Sequence, residues 1–448
     1  MLITNGKLIT WEEPNQILEG QAILIHEDTI GQIGLQKDLI EQNPSVESLD
    51  AEGKYVLPGN ICAHTHFYGA FSRGMNIYGE PPADFPDILR KLWWPLDRAL
   101  TLEDVRYSAL VCLVDAIKHG TTTLIDHHAS PNAIAGSLDE IADAIDQSGL
   151  RASLCYEVSD RGGKKEALSG IEENLRFLQR INRENPAGGR IRASFGLHAS
   201  LTLSNQTLNL CREKAPENTG FHIHVAEHIA DQYDSLEKSK ERVVDRLCHH
   251  RILGPKTIVA HAVHIDAREM QLLAETGTWV THQPRSNMNN AVGVADVESM
   301  MRCGIPVCLG NDGFSNAMWE EWKTAYLVHK LWHKDPRRMP ADRIIEMAIY
   351  NNSKLASKVF DEQPLGMLKP GALADLIFVD YHPYTPLTTE NLPWHIIFGF
   401  HESMVTTTIC SGKVLMHKRE IKTLDEEEIS HYARKLAPEI WNRYVKQF

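Results

Sequence analysis

Short apolar runs bounded by glycine, proline and polar clusters recur through the middle of the chain. Between them, apolar residues return every third or fourth position. The first pattern predicts buried strands and the second amphipathic helices. Eight runs stand out: Tyr55 to His66, Thr121 to His128, Arg151 to Val158, Arg190 to His198, Gly220 to Glu227, Thr257 to His264, Thr278 to His282 and Ile305 to Asp312. Helical patterns such as Leu102 to His119 and Gly170 to Asn182 lie between them. Strands alternating with helices predict an α/β fold with a parallel sheet, and eight of them a closed (β/α)8 TIM barrel. Ahead of this region, Met1 to Thr10, Gln21 to His26 and Thr29 to Ile33 alternate apolar and polar residues, which predicts a small sheet. Behind it, Thr406 to Cys410 and Lys413 to His417 flank Ser411-Gly412 as a hairpin, and Asp425 to Tyr444 reads as a last helix.

Length agrees with that division, since 448 residues suit a barrel of about 250 residues with a satellite domain. The eight cysteines are scattered without a Cys-x-x-Cys pair, which reads as reduced, buried thiols. The opening Met1-Leu-Ile-Thr-Asn-Gly has no signal-peptide pattern, and no apolar run is long enough for a membrane span, so a cytoplasmic location is expected. A formal charge of −13, from 46 basic and 59 acidic side chains, argues against a nucleic-acid binder. It leaves small ligands open.

The ends of the eight runs carry the chemistry. His64 and His66 close the first, and residues two apart on a strand point to one face. Two imidazoles on one face are half of a metal site of the kind zinc favours. The later runs end in Asp126-His127-His128, His198, His224 with Glu227, His261 with His264, His282, and Asp312. In a barrel these ends converge on one mouth, where active sites lie. The pattern therefore predicts a metal-dependent active site.

With these residues in view, the chain resembles the amidohydrolase superfamily. The matching stretches are Pro58-Gly59 leading to His64-Thr-His66, Phe221-His-Ile-His224-Val-Ala-Glu227, Ala260-His261-Ala, Ser286-Asn287 and Leu309-Gly-Asn-Asp312-Gly. The likeness is to the deaminase and chlorohydrolase branch. Leu92-Trp-Trp-Pro-Leu-Asp-Arg-Ala99, Ile125-Asp-His-His-Ala-Ser-Pro131, Arg285-Ser-Asn-Met-Asn-Asn290 and Asn311-Asp-Gly-Phe-Ser315 are most similar to the SsnA-type aminohydrolases.

The resemblance implies one divalent metal ion, zinc first and iron second, held by His64, His66, His224 and Asp312. It makes Glu227 the acid that passes a proton to the substrate's ring nitrogen. His261 becomes the histidine at the forming tetrahedral centre, with His264 as its rival. The fourth run lacks the lysine that bridges two metals in binuclear relatives, so a mononuclear site is expected. Zinc lowers the pKa of a bound water toward about 7, and Asp312 and Glu227 then serve as base and acid.

Substrate contacts are expected from His198, from Trp93 stacking on a flat ring, from Arg161 gripping a carbonyl or carboxylate, and from His282. Each has a plainer reading as packing or surface, and His127, His128, His282 and Arg285 read equally as groups that orient ligands. The stretch Leu365 to Asp380 resembles the superfamily's return into a second sheet. This divides the chain into 1–57 and 363–448, forming a β-sandwich with a final helix, and 58–362, forming the barrel.

The leading functional reading is a metal-dependent deaminase of an aminated purine, pteridine, pyrimidine or triazine ring. A cyclic amide hydrolase or dehalogenase of the same fold, and a non-catalytic metal or ligand binder, are the alternatives. The expected partner is a small heterocyclic substrate, with no nucleic acid and no membrane. By resemblance alone, the chain would form a homodimer.

Overall fold

The computed structural model describes residues 1–184 and 189–448. Its parallel strands follow one another in chain order. Asn60–Thr65, Thr121–Asp126, Arg151–Leu154 and Ile191–Ala193 form one four-stranded sheet. Phe195–Ala199, Phe221–Val225, Ile258–His261, Trp279–His282 and Val307–Leu309 form a second sheet of five. The fourth predicted run is thus broken at Ser194, so that its two halves belong to different sheets. Across that break, Val158 still pairs in parallel with Leu197. At the far edges, the amides of Asn311 and Asp312 donate to the His64 carbonyl at 2.9 and 3.1 Å, which brings the last strand against the first.

The first predicted run is also two strands. Tyr55–Pro58 pairs antiparallel with Leu376–Val379, whereas Asn60–Thr65 pairs with Thr121–Asp126. The chain changes sheets at Gly59, where a Cβ would lie 2.3 Å from the Thr122 side chain, so only glycine lets the backbone through. Met1 to Thr10 likewise divides, with Leu2–Thr4 in a four-stranded sheet and Lys7–Ile9 in a seven-stranded one. The two sheets share a core in which Ile3, Ile23 and Ile25 meet Leu8, Val56, Phe378 and Ile409. Each such side chain contributes roughly 1.5–3 kcal/mol on burial.

Between the parallel strands, local sequence signals set the helices. Leu102–His119 opens on a capping box in which Thr101 and Asp104 satisfy each other's backbone amides. Lys164–Glu184 spans the predicted Gly170 to Asn182, and the last helix, Glu426–Val445, is capped by Asp425. The hairpin Val405–Cys410 with Lys413–His417 forms about Ser411-Gly412 as the pattern predicts. Among the described residues, no helix is long and apolar enough to cross a membrane.

A buried ion pair fastens the parallel strands to the seven-stranded sheet. Arg151, at the start of its strand, donates to Asp375 from Nε at 3.0 Å and to Ser411 Oγ at 2.7 Å. The Ser411 amide also donates to Asp375, at 2.6 Å, so the carboxylate is well satisfied. Removing one partner strands the other charge in the core, at a cost of about 3–5 kcal/mol. We expect Asp375→Ala to lower the unfolding free energy from urea titration by that order, with a lower midpoint, and Arg151→Met with Asp375→Leu to restore part of the loss. Equal midpoints for Asp375→Ala and the parent would remove the pair from the list of stabilising contacts.

Candidate active site

The carboxyl ends of the parallel strands bring His64, His66, His224, His261 and Asp312 together in the interior. Asp312 Oδ1 lies 2.9 Å from His64 Nε2 and 3.0 Å from His66 Nε2, and the Nε2 atoms of His66 and His224 are 3.1 Å apart. Close approach of the last strand to the first depends on Gly310, where a Cβ would sit 2.8 Å from the His64 backbone. Asp312 itself takes a left-handed backbone, φ 57°, as do His261 at 72° and Ala226 at 45°. Such conformations cost about 1–3 kcal/mol each in residues other than glycine and gather at functional sites.

The far nitrogen of each imidazole is already engaged. His66 Nδ1 donates to the His127 carbonyl at 2.5 Å, and His224 Nδ1 donates to the His198 carbonyl at 2.9 Å. His64 Nδ1 faces His222 Nε2 at 2.9 Å, and His222 turns its Nδ1 to Cys155 Sγ. A neutral imidazole carries one N–H. All three Nε2 atoms therefore direct lone pairs at one point, where a carboxylate oxygen also lies. Four acceptors so placed repel one another unless a cation stands among them. The donor set, three imidazole nitrogens and one carboxylate oxygen, fits a divalent ion of the zinc type. Two overlapping sets, His64, His66, His127 and His224, and His64, His224, His261 and Asp312, form compact groups of ligand atoms within 4.8 Å of one another.

Electrostatics set the two carboxylates apart. Burial works to raise Asp312, but His261, His64 and His66 outweigh it and hold its carboxyl well below the usual range. Burial, and then the charge of Asp312, push Glu227 well above the usual range. Of the two carboxyls, Glu227 is thus the one that holds a proton more tightly. Ser286 Oγ donates to Asp312 Oδ2 at 2.6 Å, and Asn290 Nδ2 to Glu227 Oε1 at 3.2 Å. Asn287 Nδ2 donates to His261 Nδ1 at 2.9 Å, which leaves the His261 N–H on Nε2, 3.5 Å from Glu227 and 3.7 Å from Asp312. His264 donates instead to the Val292 carbonyl.

A cavity of about 360 Å³ opens above this centre. His66, His198, His224, Glu227 and Asp312 line its inner end, and Trp93 and Trp94 form part of its wall. Trp93 closes a π-helical turn, Leu89–Trp93, and packs edge-on to Tyr68. His198 fixes its ring through Nδ1 to Thr202 Oγ1 at 2.7 Å. Two expected substrate contacts are placed elsewhere. Arg161 is buried against Asp97, Nη2 to Oδ2 at 2.6 Å, and it is Asp97 that lines the cavity. His282 lies behind the wall, with Nε2 3.1 Å from His329 Nε2. Arg285 is bound to Glu320, Glu321 and Ser315, and His128 to Ser130.

Two groups escape the strand-end reading. His222 precedes His224 by two residues and so shares its face, the same spacing that singled out His64 and His66. Glu157 lies near the end of the third run, where its carboxyl faces His66, His127 and His198.

The residues 55–415 match the family model described as the amidohydrolase family. The chain is 32% identical over 445 residues to 5'-deoxyadenosine deaminase of Methanosarcina mazei, covering 98% of each. It is 31% identical over 449 residues to 5-methylthioadenosine/S-adenosylhomocysteine deaminase of Acetivibrio thermocellus, covering 98% of this chain and 99% of that one. Among solved structures, an adenosine deaminase from Xanthomonas campestris with bound zinc superposes with a TM-score of 0.84 at 21% identity, over 98% of both chains. The chain belongs to the amidohydrolase family. Within it, the chain is a hydrolytic aminohydrolase.

One buried carboxyl beside the centre has a pH signature. Asp126 accepts the Phe67 amide on Oδ1 at 2.8 Å, but its Oδ2 has no hydrogen-bond partner among the described residues. Burial pushes it up to about 7. With an unfolded value near 4, its contribution is full below about pH 4 and is lost as pH rises through 7. Asp126→Asn cannot ionise, so its melting temperature should fall less steeply than the parent's between pH 5 and 8. Parallel curves would show that Asp126 does not titrate there.

Proposed function

We propose that the chain removes the amino group of a 6-aminopurine nucleoside as ammonia, using one divalent ion held by His64, His66, His224 and Asp312. The observation that carries this reading is the placing of Glu227 and Asp312, two carboxyls shifted in opposite directions, beside the imidazoles at the inner end of a cavity walled in part by Trp93 and Trp94. Full-length similarity to 5'-deoxyadenosine deaminase supports the adenine-type ring. In the same reading the two parallel sheets are arcs of one (β/α)8 barrel spanning 58–362, and residues 1–57 and 363–448 make a β-sandwich beside it.

A zinc ion in that position supplies Lewis acidity toward water and lowers its pKa toward about 7. The protein groups then divide the proton transfers. Glu227 gives its proton to the ring nitrogen next to the amino-bearing carbon as the water oxygen adds to that carbon. Asp312, oriented by Ser286, takes a proton from the water and passes it to the departing amine. The remaining hydroxyl proton returns to Glu227 as the carbonyl forms. Water thus provides one hydrogen to the ring and one to ammonia, and both carboxyl groups end as they began. The His261 Nε2–H faces the developing oxyanion, while His198 and Trp93 orient the ring.

Aminated purines and their nucleosides, pteridines and triazines are the screen, read by ammonia release from zinc-loaded protein. An adenine nucleoside should lead. Release from a triazine or a free base alone would replace the substrate class. On the substrate so found, Glu227→Gln should retain zinc by elemental analysis and lose about 10²-fold or more in kcat. His64→Ala with His66→Ala should lose the metal itself. Two ions per chain in the parent, or full zinc in the double variant, would refute the ligand set.

A further inference from the structure

Glu157 is buried with no part in the proton transfers above, its side chain only 1% exposed. Its backbone needs are met without the side chain, since its amide donates to the His128 carbonyl at 2.8 Å. An apolar residue of similar size would fill the space without the cost of burying a carboxyl. The side chain instead reaches three imidazoles on three strands. Oε1 lies 3.3 Å from His66 Nδ1 and 3.3 Å from His127 Nδ1, and Oε2 lies 3.6 Å from His198 Nε2.

The ring of His127 shows why a carboxyl stands there. Its Nε2 donates to the His222 carbonyl at 3.1 Å, so its Nδ1 carries a lone pair. That Nδ1 and Glu157 Oε1 have no other hydrogen-bond partner among the described residues. A single proton between them satisfies both. His127 matters to the centre because its carbonyl accepts from His66 Nδ1, and Glu157 Oε1 is the second acceptor beside that N–H. From the other oxygen, contact with His198 reaches the cavity wall.

We propose that Glu157 is a positioning residue that holds His66 and His127 on the ion-binding side and His198 on the substrate side, coupling the two. The proposal rests on the reading of His66 as a metal ligand. Groups behind metal ligands typically change affinity by 10–100-fold when removed. Because the His127 carbonyl remains, the lower end applies.

The test uses the full chain with zinc, and with cobalt as a spectroscopic probe. In Glu157→Ala, the zinc dissociation constant measured by chelator competition should rise about 10-fold, and the visible bands of the cobalt form should shift. At saturating zinc, KM for 5'-deoxyadenosine should rise severalfold. Glu157→Gln, with its amide oxygen in the place of Oε1, keeps the acceptor for His66 and turns an N–H donor toward His198, and should return both constants to within about threefold of the parent. If Glu157→Ala does not fold, Glu157→Leu fills the space without an acceptor and carries the same readouts. An alanine or leucine variant with the parent's zinc affinity and cobalt spectrum would overturn the proposal, as would a glutamine variant as impaired as alanine. Failure of the metal reading is separate: the parent and His66→Ala would then hold zinc equally, whatever Glu157 does.

Discussion

Three imidazole lone pairs and a carboxylate oxygen face one another at the carboxyl ends of the parallel strands, and the surrounding polar groups are arranged to keep them so. Their mutual repulsion is relieved only by a positive charge. Without a metal ion the centre gathers a proton: burial opposes it, but Asp312 raises His66 to about 9. A divalent ion competes with that proton for the same atoms. Affinity at the centre is therefore tied to pH, because the ion must displace the proton to bind.

Holding lone pairs inward requires acceptors behind each ring, and these come from the strand ends themselves. The carbonyls of His127 and His198 fix His66 and His224, while a side chain, His222, fixes His64. The second and fourth runs thus contribute to the centre through their backbone carbonyls. Left-handed backbone at Ala226, His261 and Asp312 turns the chain at the moment each side chain must point inward. That local strain is tolerated because the strands below are buried on all sides, with Ile223, Val259 and Leu309 fully enclosed. Stability is drawn from the lower strands and spent at their ends.

Much of this was legible in the chain, for reasons that differ by residue. The convergence of His64, His66, His224 and Asp312 was accessible because strand periodicity fixes the face of a side chain and parallel strands gather their carboxyl ends on one side. The helix Leu102–His119 was readable to the residue because its cap is local. What failed was whatever depends on contacts between distant segments. Gly59 and Ser194 interrupt runs that look continuous, since the reason for each break lies in the sheets on either side. Arg161 looked free because its partner, Asp97, is far away in sequence on a separate helix. Glu157 was passed over as part of a strand, although its place at a strand end was the same signal that picked out the histidines.

The Asp97–Arg161 pair also decides what Arg161 can offer a ligand beyond the metal centre. Arg161 is held over the Trp94 ring at 5.3 Å, and its guanidinium is consumed by Asp97 on one side. Asp97 Oδ1 has no hydrogen-bond partner among the described residues, and its residue is the one on the cavity wall. Burial raises Asp97 to about 6, against the pull of Arg161, so it stays ionised at neutral pH. Arg161 therefore presents no free guanidinium for a carboxylate in the cavity. Together with Trp93 and Trp94 this makes that part of the wall a flat aromatic surface backed by a neutralised ion pair, so contact there comes from ring stacking rather than from Arg161 gripping a charged group.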